Sequence, residues 1–265
     1  MALPKISAFK IFAGSCLAFL ALFLLIVVFS AALFTNPWAM ASALFSEEIR
    51  FAIILTLFTA TLSTMVALIV GVPAAYSLSR AKFPGKDVMD ALINIPIVLP
   101  PVALGTALLI FFTNTPIGIF INNSIIRFVF EVPGIILAQF GVVSVLMVRL
   151  MRPVFDNIDP RYVKIARTLG HTETQSFLRV TLPLAKNGIF GAAVLAWTRA
   201  MGEFGATVTL AGATRLKTET LPIAMSLSLA VADIEKAMAV ILILIVIAVP
   251  TLIIVRKALY RGYIP

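Results

Sequence analysis

The stretch Lys164-Ile-Ala-Arg-Thr-Leu-Gly170, followed after the nine residues 171–179 by Val180-Thr-Leu-Pro183, decides how this chain is read. It lies in a polar, basic segment, residues 149–186, set between two long apolar runs. Such a segment faces water, because hydrocarbon gives its charges no partners. Asp159-Pro160 reads as a helix start: Asp accepts from the free N–H groups of a first turn, and Pro tolerates that position. The spacing then predicts a short basic helix over 161–169 that stops at Gly170. A second helix is expected from Thr172, with Glu173 to Gln175, and Pro183 is expected to open the next apolar run. Helix, glycine turn, helix and proline together make a handle that a soluble partner can grip from outside the bilayer.

Working outward, composition sets the class. Hydrophobic residues make up 61% of the 265 and charged residues 12%, too few charges to cover a soluble domain of this size. The chain reads as an all-α integral membrane protein. Its formal charge of +9 sits in short loops between apolar runs, as bilayer topology requires, so nucleic acid is not an expected partner. The single cysteine, Cys16, excludes an intrachain disulfide and is read as core filler.

Six stretches can cross about 30 Å of hydrocarbon as helices: 11–34, 51–79, 90–112, 132–151, 185–211 and 237–256. The first is too long for a cleaved signal sequence and is taken as an anchor. Basic residues fall mainly on one side of this arrangement: Lys5 and Lys10; Arg80, Lys82 and Lys86; Arg149, Arg152, Arg161, Lys164, Arg167, Arg179 and Lys186; and Arg256, Lys257 and Arg261. The other side carries Arg50, Arg127, Arg215, Lys217 and Lys236. The positive-inside rule then puts both termini in the cytoplasm of a multi-pass cell-membrane protein. The polar segment 212–236, with Thr220-Leu-Pro-Ile-Ala-Met225, is expected to hold an external helix.

Within the spans, Arg199 and Glu203 are i, i+4 neighbours. An intramembrane charge costs on the order of 3 kcal/mol on insertion scales, so such residues pair and face protein or water. The pair is read either as lining a pathway or as a structural lock. Gly188, Gly191, Ala192, Ala193, Ala196, Ala200, Gly202, Gly205 and Ala206 give span 5 a smooth face, expected to pack near a subunit interface. Pro96, Pro100 and Pro101 break span 3, and broken backbone at membrane depth belongs beside protein or a water-filled cavity. Gly71-Val-Pro73 is read as a passive kink in span 2.

The loop resembles the coupling signature of ABC importer membrane subunits: Glu-Ala-Ala, three residues, Gly, nine residues, Ile, any residue, Leu-Pro. Lys164, Ile165, Ala166, Gly170, Val180, Leu182 and Pro183 occupy those positions, Lys164 standing for Glu and Ile165 for the first Ala. Ile95-Pro-Ile-Val-Leu-Pro-Pro-Val-Ala-Leu-Gly105 and Met201-Gly-Glu-Phe-Gly-Ala-Thr-Val-Thr209 are similar to permease subunits of molybdate/tungstate importers. Sulfate/thiosulfate permeases share the Gly-Glu-Phe-Gly element.

The resemblance implies a type I ABC importer permease fold of six transmembrane helices with a cytoplasmic coupling helix, about 161–176. It implies a homodimer, two cytoplasmic ATPase subunits and an extracytoplasmic oxyanion-binding protein. Residues 1–49 then form an N-terminal helix and first external loop, 50–256 the transmembrane domain and 257–265 a cytoplasmic tail. Arg161, Lys164, Ala166, Arg167, Gly170, His171, Leu182 and Pro183 are the coupling candidates. Pro96, Pro100, Pro101, Arg199, Glu203 and Gly205 are the pathway candidates.

No catalytic or metal-binding set is legible in the sequence. Gly85-Lys86 lacks the glycine a phosphate loop needs at position 80, which is Arg80. ATP is therefore expected on partner subunits, with no cofactor in this chain, and lone His171 is read as a solvent residue of the loop. Two alternatives stay open: a sulfate or thiosulfate permease, and a self-contained secondary carrier. Against the latter stand the absence of inverted-repeat symmetry and of membrane acidic proton sites other than Glu203.

Overall fold

The computed structural model describes residues 8–34, 37–81 and 84–261, all helices and connections. Lys5 and Lys82, counted above, lie outside the described residues. In chain order the helices are α1 Ala8–Phe34, α2 Pro37–Phe45, α3 Glu47–Arg80, α4 Lys86–Val98, α5 Pro101–Asn114, α6 Pro116–Ser124 and α7 Val132–Asp156. They continue as α8 Arg161–Thr168, α9 Glu173–Ser176, a π-helical stretch Phe177–Thr181, α10 Leu182–Leu184 and α11 Lys186–Met201. The last three are α12 Gly205–Ala211, α13 Leu221–Ala230 and α14 Ile234–Arg261.

Four of these helices carry an apolar run long enough to cross a bilayer: Phe9–Ser30 of α1, Glu47–Arg80, Val132–Asp156, and Ile234–Thr251 of α14. Two bent pairs bring the possible crossings to six. The third span, read as broken by its prolines, is two helices, α4 and α5, meeting at 103°. Pro101 has no N–H to continue the ladder, and Leu99 before Pro100 is held extended (ψ 131°).

The expected fifth span, 185–211, is also broken. A bend of 75° separates Glu173–Leu184 from α11, so the crossing begins at Lys186, beyond Pro183. It stops again at Gly202, after which α12 sets off separately. Span 2 behaves oppositely: α3 runs through Pro73 unbroken. A side chain at Gly71 would press on Met147 (2.9 Å to Cγ), so that glycine serves the approach of α7 to α3.

The core is the packing of α3, α7 and α11. Ala60, Ala67, Ala75, Met147, Met151, Phe155, Ala192, Ala196 and Ala200 are buried there together. Small residues let backbones close in and gain dispersion where lipid supplies no hydrophobic drive. Ala192, Ala196 and Ala200 of the smooth face of span 5 are thus buried within the chain, against α3 and α7.

One polar latch crosses this core. Ser63 Oγ donates to Gln139 Oε1 (3.1 Å), and Gln139 Nε2 donates to the carbonyl of Ala200 (3.1 Å). Gln139→Leu strands both partners, and its expected cost is about 0.6–1.7 kcal/mol. The thermal midpoint of the purified chain should fall by a few degrees, about 2–4 °C per kcal/mol; an unchanged midpoint removes the latch from the account.

α1 stands apart. It packs on α14 and is otherwise exposed, so Cys16 is exposed rather than core filler. Its 27 residues are apolar nearly all round, the pattern of a helix covered by lipid. The helix expected in 212–236 exists as α13, but Leu221, Pro222, Ile223 and Ala224 are buried against α3 and α14. Leu221 N–H donates to Thr56 Oγ1 at 2.8 Å and fixes that entry.

Ion pairs separate the two ends of the bundle. Glu48 pairs with Arg215 (3.3 Å) and Lys236, and Glu131 with Lys217 (2.6 Å), all at one end. Arg152–Asp90 (2.8 Å) and Arg161–Asp159 (3.9 Å) lie at the other.

Candidate functional site

Two features concentrate the residues singled out in the sequence. The first is the loop between α7 and α11. Asp159 Oδ1 accepts the Arg161 N–H (2.8 Å) and starts α8. The helix ends in a Schellman motif: His171 N–H donates to the Ala166 carbonyl and Gly170 N–H to that of Arg167, each at 3.1 Å. Gly170 takes φ +92°, a left-handed conformation that strains any side chain bearing a Cβ. Thr172 then caps α9 in a reciprocal box with Gln175, at 3.2 and 2.9 Å.

Around this turn Arg161, Lys164, Arg167 and Gly170 are exposed, while Ala166 is buried and seats α8. His171 is half-buried with its Nδ1 closed off, not solvated as expected. Leu182 is half-buried and Pro183 exposed, both before the 75° bend. Tyr162, Ile165 and Leu169 are exposed at i, i+3, i+7 spacing, an apolar stripe facing outward between the basic residues. Their periodicity was available in the sequence and is the signal for a docking face.

The loop is bolted to the bundle at both roots. The Phe177 ring packs on Tyr76 of α3 (4.7 Å between centroids), which meets Phe155 of α7 edge-on at 5.5 Å. The Arg80 guanidinium donates to the carbonyls of Phe155 (2.6 Å) and Ile158 at the end of α7. No sequence motif marked Tyr76, Arg80, Phe155 or Phe177, because their partners are far away along the chain. A push on α8 therefore meets stiff aromatic and charge-assisted contacts, not slack chain.

The second feature is where the two broken spans cross. α12 lies across α5, with Gly205 against Val102 N (a Cβ there would stand 3.0 Å away) and Gly105 against Ala206. Pro100 is the residue before α5 and Pro101 its first. Glu203, in the break, is 1% exposed. One oxygen accepts the Ala206 N–H (3.0 Å) and the other meets Arg199 at 2.8 Å. Glu203 thus ties the last turn of α11 to the first of α12, where a carboxylate complements the partial positive charge of the free N–H groups.

Beside the crossing lies a cavity of about 380 Å³ lined by Pro96, Leu99, Pro101, Val142, Leu146, Arg149 and Arg199. Two of the three span-3 prolines and Arg199 are therefore brought together; Glu203 and Gly205 sit behind them, in the α5–α12 contact. Leu99, Val142, Leu146 and Arg149 line it without having been pathway candidates in the sequence, and Arg149 is the charged one among them.

Removing Glu203 tests the lock. Glu203→Ala leaves Arg199 without its partner and α12 without its acceptor. Loss of one member of a buried pair typically costs about 3–5 kcal/mol. Arg199 is 39% exposed to the cavity, so the lower end is expected. The Arg199→Ala, Glu203→Ala double variant should recover part of that loss in thermal unfolding. A double variant as unstable as the sum of the singles denies the coupling.

Comparison with known proteins places this architecture. Residues 67–261 match the family model described as the binding-protein-dependent transport system inner membrane component. The chain belongs to that family. It is a multi-pass membrane subunit of a transport system.

A Haloferax volcanii protein named as a probable molybdenum ABC transporter permease is 41% identical over 188 residues, covering 71% of this chain and 67% of that one. The sulfate transport system permease protein CysW of a Synechocystis strain is 33% identical over 186 residues, covering 70% and 66%. The fold is shared with a bacterial alginate ABC transporter solved with its alginate-bound periplasmic protein. There the TM-score is 0.71 at 17% identity, over 94% of this chain and 92% of that one.

Proposed function

We propose that this permease is the membrane subunit of an ATP-driven importer carrying molybdate or tungstate. The observation that carries the choice of anion is the identity of 41% to the molybdenum permease relative, against 33% to the sulfate one. Two copies of the chain form the pathway from the segment 50–256, with 1–49 a peripheral anchor and 257–265 a tail. Both termini and the α8–α9 loop are cytoplasmic, following the basic residues.

ATP is bound and hydrolysed by two partner subunits, and this chain supplies no catalytic group or cofactor. Tyr162, Ile165 and Leu169, flanked by Arg161, Lys164 and Arg167, enter a groove on each ATPase, an amphipathic helix presenting its apolar stripe. Closure of the ATPase dimer moves α8 and α9. Phe177 and Arg80 carry that movement into α3 and α7, and the bend at Ala185 carries it into α11. The crossing of α5 and α12 then opens the cavity to an anion delivered by an extracytoplasmic binding protein. ATP drives the change only because it favours one cavity state through those docking contacts.

Affinity purification of the tagged chain should bring down an ATPase. Vesicles of the complex with the binding protein should take up molybdate only with ATP. Tungstate should compete and equimolar sulfate should not. Transport by the purified chain alone makes it a secondary carrier, and equal competition by sulfate reassigns the anion.

A further inference from the structure

We propose that the cavity beside the crossing is an oxyanion subsite in the permease itself, with Arg149 as its anion-holding charge. The proposal rests on the functional reading above for its choice of anion. Arg199 and Arg149 line one cavity of about 380 Å³, within the size range of small-ligand sites, about 300–1,000 Å³. Their charges are handled differently. Arg199 is compensated by Glu203 at 2.8 Å. Arg149 donates through Nε to Asn94 Oδ1 at 2.9 Å, and among the described residues no carboxylate pairs with it. The nearby Asp90 is committed to Arg152 at 2.8 Å, and Asn94 Nδ2 in turn holds the Asp90 carbonyl at 2.6 Å.

The cavity therefore carries one uncompensated positive charge on a guanidinium whose Nε is anchored. Its two terminal nitrogens are left to present their N–H groups to a tetrahedral anion. At 1.5 Å per residue, Arg149 lies roughly 10 Å from the Asp156 end of α7, and Arg199 roughly 20 Å along α11 from Lys186. An anion descending from the crossing thus meets a neutralised arginine first and an uncompensated one second. The first lets it pass, and the second gives it a site near the exit. The same chemistry fits a lipid phosphate, so the test separates soluble anion from headgroup.

The full chain carries a single cysteine, Cys16, which makes labelling direct. With Cys16→Ser, half-buried Leu146 on the cavity wall becomes the reporter as Leu146→Cys. In phosphatidylcholine nanodiscs the anionic methanethiosulfonate reagent should label it at least about tenfold faster than the cationic one, as a focused positive field requires. Millimolar tungstate should protect. Adding Arg149→Gln should abolish both the charge preference and the protection, whereas Arg149→Lys should keep much of the preference.

Labelling indifferent to Arg149→Gln, or unprotected by tungstate, overturns the proposal. Protection that appears only on adding anionic lipid also overturns it, by making the site a headgroup contact. Protection by tungstate in a chain that imports no molybdate sinks the functional reading alone. Normal import with charge-blind labelling sinks the subsite alone.

Discussion

Gly105→Ala is expected to force α5 and α12 apart and to destabilise the chain clearly. A Cβ there would overlap Thr209 Oγ1 and stand 2.6 Å from the Ala206 carbonyl oxygen and 2.7 Å from its Cα. The hydroxyl can rotate away, but the backbone of a packed helix cannot. Alanine's better helix propensity returns about 1 kcal/mol. Overpacking costs typically 1–3 kcal/mol and more against backbone, so the clash decides the sign, with a net loss of about 2 kcal/mol or more. Gly202→Ala is the matched control, because its Cβ meets nothing closer than 4.0 Å and φ is −87°. Thermal unfolding and yield of the two variants settle it. Equal stability of Gly105→Ala and wild type would mean that α5 and α12 do not cross there.

The second large effect is on coupling. Gly170→Leu is expected to cut ATP-dependent uptake at least tenfold while leaving insertion and the thermal midpoint of the chain nearly unchanged. Within the chain a Cβ at Gly170 meets nothing within 4 Å, yet φ is +92°. The local penalty is that of a left-handed non-glycine residue, about 1–2 kcal/mol. It falls on an exposed turn between two short helices, so the bundle does not feel it. α8 does, because the Schellman motif that fixes its direction is lost and a branched side chain points to where the proposed ATPase groove lies. Gly170→Asn, which tolerates this conformation, should retain most uptake. Wild-type uptake by Gly170→Leu would detach α8 and α9 from energy transfer.

The loop was legible because its determinants are local. Asp159, Gly170 and the Thr172/Gln175 pair each act within a few residues, so spacing alone gives the helix, the turn and the next helix. The double-proline run was also visible as a break, although the Gly-Glu-Phe-Gly run was expected inside one continuous span. That they break at each other was not visible, since Gly105 and Ala206 are distant along the chain and nothing in either run names its partner. Arg199 and Glu203 paired as their spacing predicted. The spacing did not reveal that α11 ends between them, which turns an ordinary i, i+4 bridge into a joint between two helices.

The helical membrane class of the chain and the polar loop between its apolar runs follow from the sequence by itself, because a bilayer sorts apolar and polar stretches one residue at a time. Which small-residue face meets which helix is a tertiary matter. Lipid and protein are equally apolar, so a stripe of Gly and Ala carries no address, and only the fit of whole surfaces sent Ala192, Ala196 and Ala200 inward against α3 and α7. The same holds for the cavity. Arg149 reads as one more basic residue near a membrane boundary until α4, α5, α7 and α11 bring it to the cavity that Arg199 also lines.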